Sequence, residues 1–274
     1  MKPASFDYVR AGDMGEALEA LAKHGAQARV LAGGQSLMPM LNMRLARPAV
    51  LIDIMRITGL ARIESRRSLV VGAGVRQADL LGHDGLAQTQ PLLAAALPWV
   101  GHWQTRARGT IGGSVAHADP SAEIPLCAVA LRGRVHLQSR RSKRTLDAED
   151  FFTGMMSTAR AEDEMITGIE FPLRVPATGY AFAEVGRRHG DFAMTACAAV
   201  VDDKGIRLTV GGVADKAIAR DWPPLAGDAL DDALNTFAWE LGARDDVHAS
   251  ARYRRELVRK LGRRVIEEAA KCRS

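Results

Sequence analysis

Cysteine is scarce in this chain and follows no pattern. Of 274 residues only 3 are cysteines, Cys127, Cys197 and Cys272, and none stands in a C-x-x-C pair or a histidine–cysteine group at metal-ligand spacing. Scattered thiols do not supply the ligand set of an iron–sulfur cluster, so none is expected in this chain alone. They do fit a reducing compartment, and Cys127 and Cys197, lying in apolar runs, read as small core residues. Aromatic residues make up only 5% and do not interleave with the basic clusters at 140–144 and 252–264. A stacking platform for single-stranded nucleic acid is therefore not expected. The two clusters read as a solvated hairpin tip and the polar face of a helix, with no nucleic-acid partner. No apolar run reaches the roughly 18 residues of a membrane span, and no N-terminal segment has the build of a signal peptide. The expectation is a cytoplasmic protein with no transmembrane segment. There is also no H-E-x-x-H, no Ser/His/Asp arrangement and no spaced carboxylate pair to signal hydrolysis.

What is present is the composition of a globular protein, 47% hydrophobic and 25% charged, with a mild net charge of +5. The length suits two or three modest domains. Asp13-Met14-Gly15-Glu16 has the form of a capping box, and Leu18, Leu21 and Ala22 carry a helix from it to Gly25. Residues 28–32 and 50–54 read as strands, so the first sixty residues form a β-α-β-like unit. Residues 68–74 read as a strand, 91–100 as an apolar helix and 103–109 as a polar, arginine-bearing loop. A further helix is expected from about Pro120 through 124–131, with Asp119 and Ser121 suited to cap it. Strands at 135–138, 144–146 and 165–171 then make a mixed or antiparallel sheet, and 173–179 a linker. Three strands, 180–187, 192–201 and 206–210, pair most simply as a meander. Helices at 225–241 and 248–272 complete the chain, the last with Tyr253, Leu257, Leu261 and Ile266 facing inward.

Two short stretches carry the chemistry. Val30-Leu31-Ala32-Gly33-Gly34-Gln35-Ser36-Leu37 is an apolar run ending in two glycines and small polar residues, with Pro39 placed for a first helical turn. Such a turn leaves backbone N–H groups pointing at one spot, which suits a phosphate. Thr110-Ile111-Gly112-Gly113-Ser114 repeats the theme. A facing pair of turns presents N–H groups to two linked phosphates, as in a dinucleotide pyrophosphate. Neither turn is G-x-G-x-x-G before a long helix or a loop ending in Gly-Lys-Ser/Thr, so Rossmann and P-loop readings are disfavoured.

These residues resemble a known family. The run Ala32 to Pro39, the strand Leu51-Ile52-Asp53-Ile54, the run Arg108 to Pro120 around the second motif, Gly186 to Ala193, and the tail Asp246 to Arg255 are similar, in order, to the FAD-binding medium subunit of molybdenum hydroxylases. That is the group of carbon monoxide dehydrogenase and xanthine dehydrogenase. The resemblance implies an α+β chain: two α/β subdomains of the vanillyl-alcohol-oxidase type at 1–60 and 61–174, and a C-terminal domain at 175–274 with a three-stranded antiparallel sheet and helices. It implies FAD as cofactor, its pyrophosphate held by Val30, Leu31, Ala32, Gly33, Gly34, Gln35, Ser36 and Leu37 and by Thr110, Ile111, Gly112, Gly113 and Ser114. Val100, Glu123 and Ile166 fall where the family touches the flavin nucleotide. His117 and Asp119 are flavin neighbours by the same likeness, or, for Asp119, a helix cap. No catalytic residue and no metal ligand is implied in this chain.

Molybdopterin and [2Fe-2S] clusters are implied only in partners, a large molybdenum subunit and a small iron–sulfur subunit, as a dimer of heterotrimers. Electrons would pass from the clusters through this subunit to an external acceptor. Xanthine-oxidising members place a lysine where this chain has Ala183, next to Glu184. Its absence favours the carbon monoxide dehydrogenase branch, with a quinone or another carrier as acceptor. A self-contained flavoenzyme of the same fold is the alternative. Trp99 and Trp103 either pack at helix ends or contact a partner or the adenine, Arg106 and Arg108 pair with phosphate or with acidic neighbours, and Met38, Met40 and Met43 read as core.

Overall fold

The computed structural model describes residues 2–273. The first unit is a parallel sheet, β1 (Asp7–Arg10), β2 (Ala28–Leu31) and β3 (Val50–Asp53), in the order β1-β3-β2. Every residue of central β3 is buried, as the apolar run Val50-Leu51-Ile52 requires of a strand covered on both faces. Helix α1 (Met14–His24) connects β1 to β2. Asp13 caps it by accepting from the Glu16 N–H at 2.9 Å, and Glu16 reaches back to the Gly12 N–H at 2.7 Å. Its buried face is Ala17, Leu18 and Leu21, with Ala22 turned to solvent. Register aligns Leu31 with Asp53, so β2 and β3 end together and the first glycine turn sits at the carboxyl edge of the sheet, where open α/β sheets bind ligands. Helix α2 (Leu37–Asn42) follows the turn. Its methionines are not core: Leu41 is its buried residue, and Met43, just beyond, is 51% exposed.

The middle of the chain builds a five-stranded antiparallel sheet. In chain order come β4 (Ile63–Ser65), β5 (Ser68–Gly72), α3 (Gln77–Leu81), α4 (Leu86–Thr89), α5 (Pro91–Ala96), α6 (Trp103–Arg108), α7 (Ile111–His117) and α8 (Glu123–Ala130). Then follow β6 (Arg134–Gln138), β7 (Lys143–Asp147), α9 (Ala148–Phe151), the small pair β8 (Phe152–Gly154) and β9 (Ser157–Thr158), and β10 (Met165–Pro172). The sheet order is β4-β5-β10-β6-β7. The basic cluster at 140–144 does lie at the β6–β7 hairpin tip. Three expectations change here. The arginine-bearing loop is helix α6, because Arg106 Nη1 collects the carbonyls of Pro98, Val100 and Gly101 at 3.0–3.1 Å and steadies the preceding turn. The second glycine motif is not a strand-end turn but the opening of α7, with Thr110 as its cap. And α8 starts only at Glu123: Asp119 accepts from the Ser121 N–H at 2.8 Å in a turn before the helix, which has no side-chain cap.

The last unit is a sheet of four strands, not three: β11 (Gly179–Val185), β12 (Thr195–Val201), β13 (Ile206–Gly211) and β14 (Ile218–Trp222), all antiparallel neighbours. β12 starts at Thr195, so 186–194 is a loop. Helices α10 (Gly227–Glu240) and α11 (Ala251–Lys271) cover one face. Buried residues of α11 include Leu257, Val258, Leu261, Val265 and Ile266, whereas Tyr253 is 45% exposed. Most of its basic residues form the expected solvated face, with Arg263 on Glu267 and Arg264 on Glu268, but Arg254 is buried. Alternation along β11 divides two cores. Ala181 and Ala183 pack with Cys197 against the helices, and Phe182 packs the other way with Ala196 and Ala198 against α5 and α8. Cys127 and Cys197 are buried, one in each core. Among the described residues no helix is long and apolar enough to cross a membrane.

Candidate functional site

A cleft of about 650 Å³ runs between the first glycine turn and α7, and on to the start of α8 and the 186–194 loop. The first glycine turn touches the end of α6, just before the second motif. A Cβ placed on Gly33 would lie 2.1 Å from the Arg108 carbonyl oxygen, so only glycine permits this approach. Gly34 takes the left-handed φ of 73° that turns the chain into α2. Along this turn, the N–H groups of Gly33 through Leu37 find no protein acceptor among the described residues. That row of open donors is the property a phosphate requires.

The second motif behaves differently. Ile111 donates to Val75 O at 2.9 Å, Gly112 to Ala73 O at 3.0 Å, Gly113 to Thr110 Oγ1 at 3.0 Å and Ser114 to Thr110 O at 3.1 Å. Its donors hold the fold together, and the expected symmetrical clamp is in fact one donor turn facing a wall. That wall offers the Gly112-Gly113 backbone surface and the half-buried Ser114.

Of the residues expected from sequence, all but Leu31 and Ile111 line the cleft. Ile111 is fully buried in the core, and Leu31 alternates with Val30 along β2 and turns away from the cleft wall. Arg106 gives its Nη1 to three backbone carbonyls and its charge also acts on Glu123, and Arg108 sets its carbonyl against Gly33. Trp99 packs, with its ring 4.9 Å from His189 and 6.5 Å from Phe182, but Trp103 is 70% exposed. Ala183 points into the C-terminal core, so the β11 residue on the cleft side is Glu184.

Several cleft residues escaped the sequence. Gln77 lines the wall, and its buried Oε1 has no partner, an acceptor waiting for a hydroxyl or N–H from a ligand. Arg160 lines the far end with Arg29, its guanidinium donating to the carbonyls of Ala161 and Glu164 at 2.7 Å. Burial and the nearby Arg29 charge lower its pKa. Gly190, Asp191 and the 69% exposed Phe192 stand at the mouth. Only a contiguous sequence motif announces itself, and these residues arrive from four separate segments. Glu123, 7% exposed on the wall, has its pKa pushed up to about 7 by burial, its own backbone N–H opposing and the Asp119 charge adding.

An elongated cleft with a phosphate-type donor turn at its middle, an orphaned acceptor in its wall and an apolar lining defines a dinucleotide-binding protein. The orphaned Gln77 oxygen and the open donors fit FAD. Sequence profiles identify which kind. Residues 4–174 match the FAD binding domain in molybdopterin dehydrogenase, and residues 180–269 match the CO dehydrogenase flavoprotein C-terminal domain. The 6-hydroxypseudooxynicotine dehydrogenase complex subunit alpha of Paenarthrobacter nicotinovorans is 37% identical, over 98% of this chain and 96% of that one. The nicotine 6-hydroxylase medium subunit of the same organism is 36% identical, over 98% and 99%. The carbon monoxide dehydrogenase of Hydrogenophaga pseudoflava, in a form lacking the Mo-pyranopterin moiety of its molybdenum cofactor, superposes with a TM-score of 0.95 at 31% identity, over 100% of both chains. The chain belongs to the FAD-binding medium subunits of the molybdenum hydroxylases and is the flavoprotein subunit of an oxidoreductase.

Proposed function

We propose that this subunit takes electrons from [2Fe-2S] clusters in a small partner, themselves fed by a molybdenum site in a large partner, and passes them to an external carrier in the cytoplasm. The assembly is a dimer of heterotrimers. The three larger sheets then belong to two FAD-binding subdomains at 1–60 and 61–174, of the vanillyl-alcohol-oxidase type, and a C-terminal domain at 175–274. The carrying observation is the row of open N–H groups from Gly33 to Leu37, set beside the second motif by the contact of Gly33 with Arg108 and Gly109.

FAD supplies the redox chemistry once bound. The chain's residues place it. The Gly33–Leu37 backbone holds the pyrophosphate, Ser114 and Gln77 offer polar groups to the linker, and Val100, His117, Asp119, Glu123 and Ile166 shape the walls. Leu31, through its backbone, extends the first turn, and Ile111 supports the second from the core.

Purified chain titrated with FAD should bind it stoichiometrically and show a flavin spectrum. Co-purification from the native source should bring molybdenum and iron with it. A chain that stays colourless sinks the FAD site; one that emerges alone with flavin and turns over a substrate sinks the relay.

A further inference from the structure

One polar side chain in the cleft wall bonds to nothing in the chain. Gln77 is 5% exposed, its Oε1 is buried without a partner, and no hydrogen bond ties its Nε2 to any described residue. Its backbone is nonetheless fixed. The Gln77 N–H donates to the Gly109 carbonyl at 2.8 Å, the Ile111 and Gly112 N–H groups donate to Val75 and Ala73 at 2.9 and 3.0 Å, and Arg76 bridges to Thr110. The segment 73–77 is thus laced along the approach to α7, and it holds the Gln77 side chain over Gly109, where an added Cβ would lie 2.7 Å from Oε1. The first turn rests on the same residue. A Cβ on Gly33 would lie 2.8 Å from the Gly109 Cα, so a single glycine separates the Gln77 carboxamide from the donor turn, and both line one cleft.

Neighbouring glutamines are spent within the fold. Gln35 Nε2 donates to the Gly33 carbonyl at 3.1 Å, and buried Gln90 uses both ends, donating to the Pro172 carbonyl at 2.7 Å and accepting from the Leu92 N–H at 3.4 Å. An open buried oxygen costs stability that a partner would recover. In its buried place Oε1 stands near the Thr105 carbonyl, which lies 2.9 Å from the same point on Gly109 and already accepts the Gly109 N–H. Two acceptors do not bond, so no hydrogen bond holds the carboxamide inward, and turning it toward the cleft breaks none. A carboxamide carries an acceptor and an N–H donor side by side. Beside a phosphate-binding turn, a bare anion would satisfy only the donor. A phosphate oxygen next to a sugar hydroxyl satisfies both.

We propose that Gln77 determines specificity for the sugar next to the pyrophosphate: its side chain turns to the cleft, Nε2 donates to a phosphate oxygen, and Oε1 accepts the adjoining sugar hydroxyl. The inference rests on the reading of the cleft as the FAD site, and it assigns that recognition to a residue outside both glycine motifs. FAD carries hydroxyls on both sides of its pyrophosphate, on the ribityl chain and on the ribose. The Gly33–Leu37 donors alone would hold any pyrophosphate; Gln77 favours one that is linked to a sugar.

The test uses the full chain with FAD, an FAD analogue lacking the ribityl hydroxyl next to the pyrophosphate, and an analogue lacking the ribose hydroxyls. Fluorescence titration gives the affinities, and thermal melts follow the FAD-free chain. Gln77→Leu removes both polar ends of the side chain. Without FAD it should melt no lower than the wild type, because an orphaned oxygen is gone, yet it should bind FAD about tenfold more weakly. The wild type should lose about tenfold in affinity toward one of the two analogues, and Gln77→Leu should bind that analogue as well as it binds FAD. The analogue that shows this coupling identifies the sugar. Should Gln77→Leu fail to fold, Gln77→Met, closer in length, decides. If both variants melt lower or fail to fold without FAD, Gln77 is a structural residue and the proposal is overturned. Equal FAD affinity in variant and wild type, or an analogue penalty that persists in full in the variant, overturns it too. A wild-type chain that binds none of the three ligands overturns the function proposed above as well, whereas FAD bound with no coupling to Gln77 overturns this proposal alone.

Discussion

Gly33 has no room for a side chain. Replacing it with alanine presses a methyl group onto the Arg108 carbonyl and should destabilise the fold by roughly 1–3 kcal/mol, as overpacking does. FAD affinity should drop at least tenfold, because the donor turn is pushed off its wall; urea unfolding and a fluorescence titration with FAD read the two effects. Gly34→Ala, at a left-handed φ of 73°, should cost about 1 kcal/mol. The acids Glu123 and Glu184 make a pH prediction of definite sign. Their folded pKa values, about 7 and about 8, lie above the ordinary 4.5, so between about pH 4.5 and 8 the folded state binds more protons than the unfolded one. Their contribution is fully present below that window and is lost as pH rises through it. Thermal melts of the FAD-free chain should show this decline, and Glu184→Gln should flatten it. At this scale the sequence disclosed the glycines and, through resemblance, Val100, Glu123 and Ile166. It hid Gln77, Arg160 and Glu184, because none of them stands in a motif and only the fold sets their surroundings.

The element that changed meaning most is α7. Its glycines looked like a second phosphate loop, but Thr110 caps the helix and the Ala73 and Val75 carbonyls consume the first two amides. Thr110→Ala should therefore cost about 1 kcal/mol, with Thr110→Ser restoring most of it in chemical denaturation. If the amides of α7 were the main phosphate donors, loss of this cap would leave stability untouched. Elements with long apolar patterns, such as β3, β10, α8 and α11, were legible from sequence, because burial on one or both faces writes itself into the residue order. Strands β1 (DYVR) and β14 (IARDW) were not: each is a short edge strand with no fully buried residue, held by backbone pairing that leaves little trace in side-chain type. Helix α6 escaped for a related reason, since its six residues include none that is fully buried.

Over the whole molecule, two cores meet along β11 and β12, and Arg207 fastens them. Only 8% of its side chain is exposed, and it reaches from β13 to Asp221 at 2.6 Å, to Glu149 on α9, and to the Val129 carbonyl at 3.1 Å. Its carboxylate partners are about half exposed and can return to water. Arg207→Ala should therefore cost about 1–3 kcal/mol, mainly through the orphaned carbonyl and lost packing. Hydrogen exchange should then separate the C-terminal sheet from the rest of the chain, a loss of cooperativity that a surface ion pair would not produce.

Arg254 makes the last connection. From α11 it sends Nη1 to the carbonyls of Met194 and Gly212, both at 2.5 Å, and Nη2 to Asp246 at 2.6 Å. Met194 ends the loop that carries Asp191 and Phe192 to the cleft mouth. The loop at the cleft mouth is thus moored to a helix that lies about sixty residues further along the chain. In chimeras between relatives, exchanging the final helix without its matching loop should leave the cleft mouth adrift and weaken FAD binding, while exchanging the two together should preserve it, as a fluorescence titration with FAD would show.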